Sequence, residues 1–216
     1  MIKIKTNSTN SDWVLTPIAG IVIFVLLYFI ASILYPGGSQ ADTASKGFSW
    51  LHNYWCNLLN ENGINGKYNP GRYFAITGML VLCISMAIFW WLFAQLIPFN
   101  KRFSIALQVS AIASACCGFF LFTRYHDIVI NLTGLLAFVA FAGTFAGLYK
   151  TGWRKLFWLG VFNIGLIAIN NLIYYNKTYI AYLPVVQKIT FVFFLVWICL
   201  IDLELFRLGK QSKELA

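Results

Sequence analysis

The chain has 216 residues, of which 60% are apolar and 11% charged, against about 25% charged in an ordinary soluble domain. Too little polar surface exists to cover a water-soluble globule. The formal charge of +9 does not mark a nucleic-acid binder either, because the basic residues are scattered between apolar blocks instead of forming one patch.

The apolar residues fall in six blocks, approximately Trp13–Tyr35, Tyr73–Pro98, Phe103–Phe122, Ile128–Tyr149, Trp153–Tyr175 and Tyr182–Phe206. Each reaches the roughly 20 helical residues that cross a hydrocarbon core. The expected fold is therefore all-α, an integral membrane bundle of six transmembrane helices forming one domain over 1–216. The first block is too long for a cleavable signal peptide and reads as a retained signal-anchor helix.

An even number of spans puts both termini on one side. On that side lie Lys3, Lys5, Lys101, Arg102, Lys150, Arg154, Lys155, Arg207, Lys210 and Lys213, ten in all, against six on the other. The excess predicts cytoplasmic termini. Trp13, Trp90, Trp91 and Trp153 stand at the ends assigned to the cytoplasmic face, as an interfacial aromatic belt would place them.

The long connection, 36–72, opens with Pro36, Gly37 and Gly38. Phe48, Leu51, Trp55, Leu58 and Leu59 then recur at helical spacing, with Ser49, Asn53, Asn57 and Asn60 opposite. This pattern predicts an amphipathic helix in the first outer loop, lying on the membrane surface or in the mouth of the bundle. Asn69-Pro70 predicts the cap and first turn of the second span.

With that topology the polar and ionisable residues gather on the extracytoplasmic side, where such groups line a cavity or pair with one another. His52 sits on the apolar face of the predicted loop helix. Arg124, His126 and Asp127 open the fourth span, with Asn131 one turn below Asp127. Asn163, Asn170 and Tyr174 form a stripe on the fifth span, flanked by Asn171 and Tyr175, and amides of this kind ordinarily bond between helices. Gln187 and Lys188 stand in the outer third of the sixth span; Lys188 is expected to snorkel, or, turned inward, to face Asp127 or an anionic ligand. In the fourth span Gly143 and Gly147 make a Gly-x-x-x-Gly packing pattern.

Of the five cysteines, four lie in apolar blocks and only Cys56 stands in a loop. There is no Cys-x-x-Cys, His-x-x-x-His, Gly-x-Ser-x-Gly or phosphate-binding glycine loop, so no metal or cofactor is expected.

The phrases Tyr35-Pro36-Gly37-Gly38-Ser39, Gly47-Phe48-Ser49-Trp50, Asn53-Tyr54-Trp55-Cys56 and Asn69-Pro70-Gly71-Arg72, in a six-span chain, resemble uncharacterised bacterial membrane proteins of the domain-of-unknown-function family numbered 998. The resemblance implies a bacterial inner-membrane protein and brings no activity with it.

Three functions fit these residues. The first is a protein that binds or transports a lipid headgroup or small amphiphile, in a pocket lined by Asn131, Asn163, Asn170, Tyr174 and Gln187 with Arg72, Arg124 and Lys188 at its rim. A second is an intramembrane hydrolase or transferase acting on a lipid, with His52 or His126 as base and Asp127 orienting it. The third is an accessory subunit packing against a membrane-protein partner or a second copy through Gly143 and Gly147.

Overall fold

The computed structural model describes residues 11–214, apart from the side chains of Ser11, Asp12, His126 and residues 211–214. Lys3 and Lys5, counted above for orientation, lie outside the described residues. Six α-helices run through the described residues: α1 (Thr16–Ile33), α2 (Arg72–Leu96), α3 (Lys101–Gly118), α4 (His126–Thr151), α5 (Arg154–Asn176) and α6 (Leu183–Glu214). All six belong to segments long and apolar enough to cross a membrane, and no strand occurs among the described residues.

Helix ends follow local chemistry. Pro17 sits in the first turn of α1, where its missing N–H costs nothing. The Asn100 side chain accepts from the Phe103 N–H at 2.8 Å and starts α3 two residues earlier than the apolar pattern alone suggests. Gly152, at φ 76°, ends α4 in the left-handed conformation that glycine adopts without strain. The expected Asn69 cap on α2 does not form. Gly71 holds the capping position, and the Asn69 amide donates instead to the Leu58 and Asn60 carbonyls. Two loop carbonyls thus outcompete the cap.

Helices adjacent in the chain pack side by side, and α6 returns against α1, α2 and the 3-10 turn Ser11–Leu15. Small residues set the closest approaches. A Cβ on Gly20 would fall 1.8 Å from Ser85 Oγ, and one on Gly78 3.1 Å from the Tyr28 ring, so α1 and α2 meet nearly backbone to backbone. Gly143 and Gly147 seat Leu107 and Phe93 in the same way, each 2.5 Å from a would-be Cβ. The Gly-x-x-x-Gly pattern is therefore occupied by the chain's own α3 and α2.

The interior holds Phe24, Phe89, Phe93, Leu107, Trp197 and Ile198, fully buried. Two indoles bond across helices, Trp90 Nε1 to Thr144 Oγ1 at 3.0 Å and Trp197 Nε1 to the Leu156 carbonyl at 2.8 Å. Trp90, assigned above to an interfacial belt, is thus a core residue at 5% exposure, while Trp13 and Trp91 remain exposed. On the outside, Leu135, Phe138 and Trp158 are 72%, 69% and 67% exposed. Apolar surface on that scale in every helix suits contact with lipid tails and not with water.

At Gly20 a Val substitution must push α1 off α2, and overpacking of this kind costs about 1–3 kcal/mol. At Gly165, where an added Cβ meets nothing within 4 Å, Ala should leave stability unchanged or raise it by up to about 1 kcal/mol through helix propensity. Thermal unfolding of the two variants in detergent, with Gly20→Val melting below the wild type and Gly165→Ala at or above it, checks the assignment.

Candidate functional site

The connection between α1 and α2 builds the site. Its sequence alternates apolar and amide residues at helical spacing, yet the expected helix over Phe48–Leu59 is reduced to a turn and the 3-10 stretch Trp55–Leu59. Asn and Ser side chains take the bonds a helix would make. Asn53 Oδ1 accepts from the Ser49 N–H at 2.8 Å, Asn57 Oδ1 from the Tyr54 N–H at 2.7 Å, and Ser49 Oγ from the His52 N–H at 3.2 Å. Local competition of this sort turns a helical pattern into a loop.

Long-range bonds then fold the loop over the helix ends. Asn53 Nδ2 donates to the Gly38 carbonyl at 2.8 Å, the Ile64 N–H donates to Tyr35 Oη at 3.0 Å, and Arg72 Nε donates to the Leu59 carbonyl at 3.1 Å. Lys188, buried on α6, donates to the carbonyls of Asn53 and Pro184 and lies 5.7 Å from the centre of the Phe48 ring. It neither snorkels nor faces Asp127. An ammonium brought into this depth is satisfied by loop and helix carbonyls.

Under the loop lies a cavity of about 430 Å³, walled by Tyr54, Cys56, Asn57 and Asn60 from the loop, Thr123 before α4, Asp127 and Asn131 of α4, Asn170, Asn171, Tyr174 and Tyr175 of α5, and Leu183 and Gln187 of α6. Four separate elements bring polar groups to one place. Burial pushes the Tyr54 phenol above its usual range, and the neighbouring Cys56 and Tyr174 act in the same direction, so the phenol stays neutral at pH 7.

The structure therefore gathers Asp127, Asn131, Asn170, Tyr174 and Gln187 of the expected site. It adds Tyr54, Asn57 and Asn60, whose place in the predicted amphipathic helix gave no sign that they would face α4 and α5. Other expected members stand elsewhere. Arg72 is bound to the Leu59 carbonyl, and exposed Arg124 bonds Tyr125 Oη at 2.7 Å with its guanidinium 4.8 Å from the Tyr125 ring centre. Neither lines the cavity, nor does Lys188. Asn163 is fully buried below it, its Nδ2 on the Leu159 carbonyl at 2.9 Å. His52 is exposed on the loop and is not a lining residue, and the side chain of His126 lies outside the described residues.

No family model, curated protein or solved structure matches the chain.

Replacing Lys188 by Met keeps bulk but leaves the Asn53 carbonyl without its donor. Hydrogen bonds to charged groups are worth about 1.5–3 kcal/mol, so the loop should open more often and Cys56 should react with a maleimide at least about tenfold faster, 1.4 kcal/mol being a factor of ten. An unchanged Cys56 rate in folded Lys188→Met protein would remove the anchoring role.

Proposed function

We propose that this chain is a multi-pass protein of a bacterial inner membrane, both termini cytoplasmic, that binds or transports a small amphiphile in the cavity beneath its extracytoplasmic loop. The observation that carries the reading is convergence. Six side-chain amides from three helices and the loop, three tyrosines and one carboxylate (Asn57, Asn60, Asn131, Asn170, Asn171, Gln187; Tyr54, Tyr174, Tyr175; Asp127) face one cavity at the loop end of the bundle. Polar groups at such a depth are costly unless they serve a site. Leu121, Ile130 and Leu183 complete the wall, giving the mixed polar and apolar lining that suits a small amphiphile.

His52 is exposed away from the cavity, and Gly143 and Gly147 pack within the chain. These placements favour neither His52 as the base of an enzyme nor Gly143 and Gly147 as a partner contact.

Orientation is tested with a membrane-impermeant thiol reagent on intact cells. A cysteine placed at exposed Lys67 should label from outside, and one placed at Lys155 only after the membrane is opened. Labelling at Lys155→Cys alone would reverse the topology.

Binding is tested by ultraviolet cross-linking of purified membranes with a diazirine-bearing decyl amphiphile. Peptides covering 54–60 and 170–187 should carry the label in excess. Label spread evenly over the exposed faces of α1, α4 and α5 would overturn the site.

A further inference from the structure

We infer that the head of the ligand is a primary ammonium, a conclusion that rests on the cavity being a binding site as proposed above. The chemistry follows from which ends of the lining amides are already engaged. A backbone carbonyl only accepts, so an amide bonded to the carbonyl one helical turn back must turn its nitrogen toward its own helix. Asn131 does this to the Asp127 carbonyl at 2.8 Å, Asn170 to Leu166 at 3.0 Å and Asn171 to Ile167 at 3.0 Å. The Asn170 nitrogen also donates to the Thr190 hydroxyl.

Among the described residues, nothing donates to the oxygens of these three amides. Gln187 adds a fourth oxygen by a different route: its Nε2 lies 4.0 Å from Cys56 Sγ in the loop, while its Oε1 is buried without a partner. The capacity left on these four amides is therefore accepting capacity, beside the neutral donors that Tyr54, Tyr174, Tyr175, Asn57 and Asn60 bring to the same cavity. Of these oxygens Gln187 Oε1 is the one buried without a partner, and a ligand N–H satisfies it where a further oxygen does not.

Charge points the same way. Asp127 is the one charged side chain among the described lining residues. The three cations expected at the rim do not line the cavity, since Arg72 and Lys188 hold loop carbonyls and Arg124 holds Tyr125. The starts of α4 and α6 bring partial positive charge to this end, and Asp127 in the first turn of α4 and the C-terminal end of α5 offset it.

A phosphate or carboxylate head would meet only neutral donors, the tyrosine hydroxyls and the Asn57 and Asn60 amides, beside an acid and with no lining lysine or arginine. A primary ammonium carries three N–H donors for the amide oxygens, and the tyrosine rings offer faces that attract a cation. A quaternary ammonium has no N–H and would leave Gln187 Oε1 unsatisfied.

The test uses the full chain in dodecyl maltoside and follows maleimide alkylation of Cys56 by peptide mass spectrometry, so the other four cysteines stay in place. Decylamine, decanol and decyl phosphate are compared at equal concentration. Decylamine should slow Cys56 alkylation about tenfold or more and the other two less than about twofold, a difference of roughly 1 kcal/mol in occupancy. Gln187→Met keeps the volume, removes an unpartnered buried oxygen and so should fold at least as well, yet it should lose most of the protection by decylamine. Asn171→Leu, at an exposed position, should weaken protection in the same direction. Equal or better protection by decyl phosphate or decanol overturns the ammonium assignment and leaves the cavity as a site. Protection by none of the three overturns the cavity as a binding site, and undiminished protection in both variants overturns the part given to the amide oxygens.

Discussion

The contact on which the site depends is the buried Lys188 ammonium donating to the Asn53 carbonyl. It joins the first connection to the last helix across 135 residues of sequence, and the loop it holds is one wall of the cavity. Removing an ammonium from water is expensive unless its protons find acceptors, so the same force that makes the residue costly also makes the docking directional. Asn53 extends the lock, with its amide on Gly38 and its oxygen on Ser49.

A second constraint shapes every amide in the bundle. In apolar surroundings an NH2 group must be satisfied close by, and the nearest acceptor is the carbonyl one turn back on the same helix. Asn131, Asn163, Asn170 and Asn171 all take it. Of these four only Asn170 also reaches a neighbouring helix, at Thr190, so amides expected to join helices mostly do not. Helix contact comes from shape: Gly20 against Ser85, Gly147 against Phe93 and Gly160 against Trp197. Helices whose outer faces are as apolar as their contacts gain little from burial alone, so close packing decides how they associate.

The loop-end chemistry and the apolar shaft are thus separate designs in one chain. The shaft offers large apolar side chains outward, and the loop end concentrates amides, phenols and one acid in a cavity of about 430 Å³. Back-bonded amides orient their oxygens away from their own helix. In the cavity, Asn131, Asn170 and Asn171 are the amides so turned.

Six helices, their approximate ends and the all-α class were legible in the sequence, because a block of about 20 apolar residues has few other fates. The gathering of Asp127, Asn131, Asn170, Tyr174 and Gln187 at one end was legible too, since alternating spans place the start of one helix beside the end of the next. What the tertiary structure decided was direction. Periodicity made Phe48–Leu59 helical, but Ser49, Asn53 and Asn57 found backbone partners that broke the helix and carried His52 out to solvent. Trp90 has the same composition signal as Trp91, and only the Thr144 hydroxyl within reach makes it a core residue. Arg72, Arg124 and Lys188 are cations at one end of a bundle by sequence, and which carbonyl or ring each meets depends on contacts far apart in the chain. Side-chain polarity is local and readable; the partner that satisfies it is set by packing.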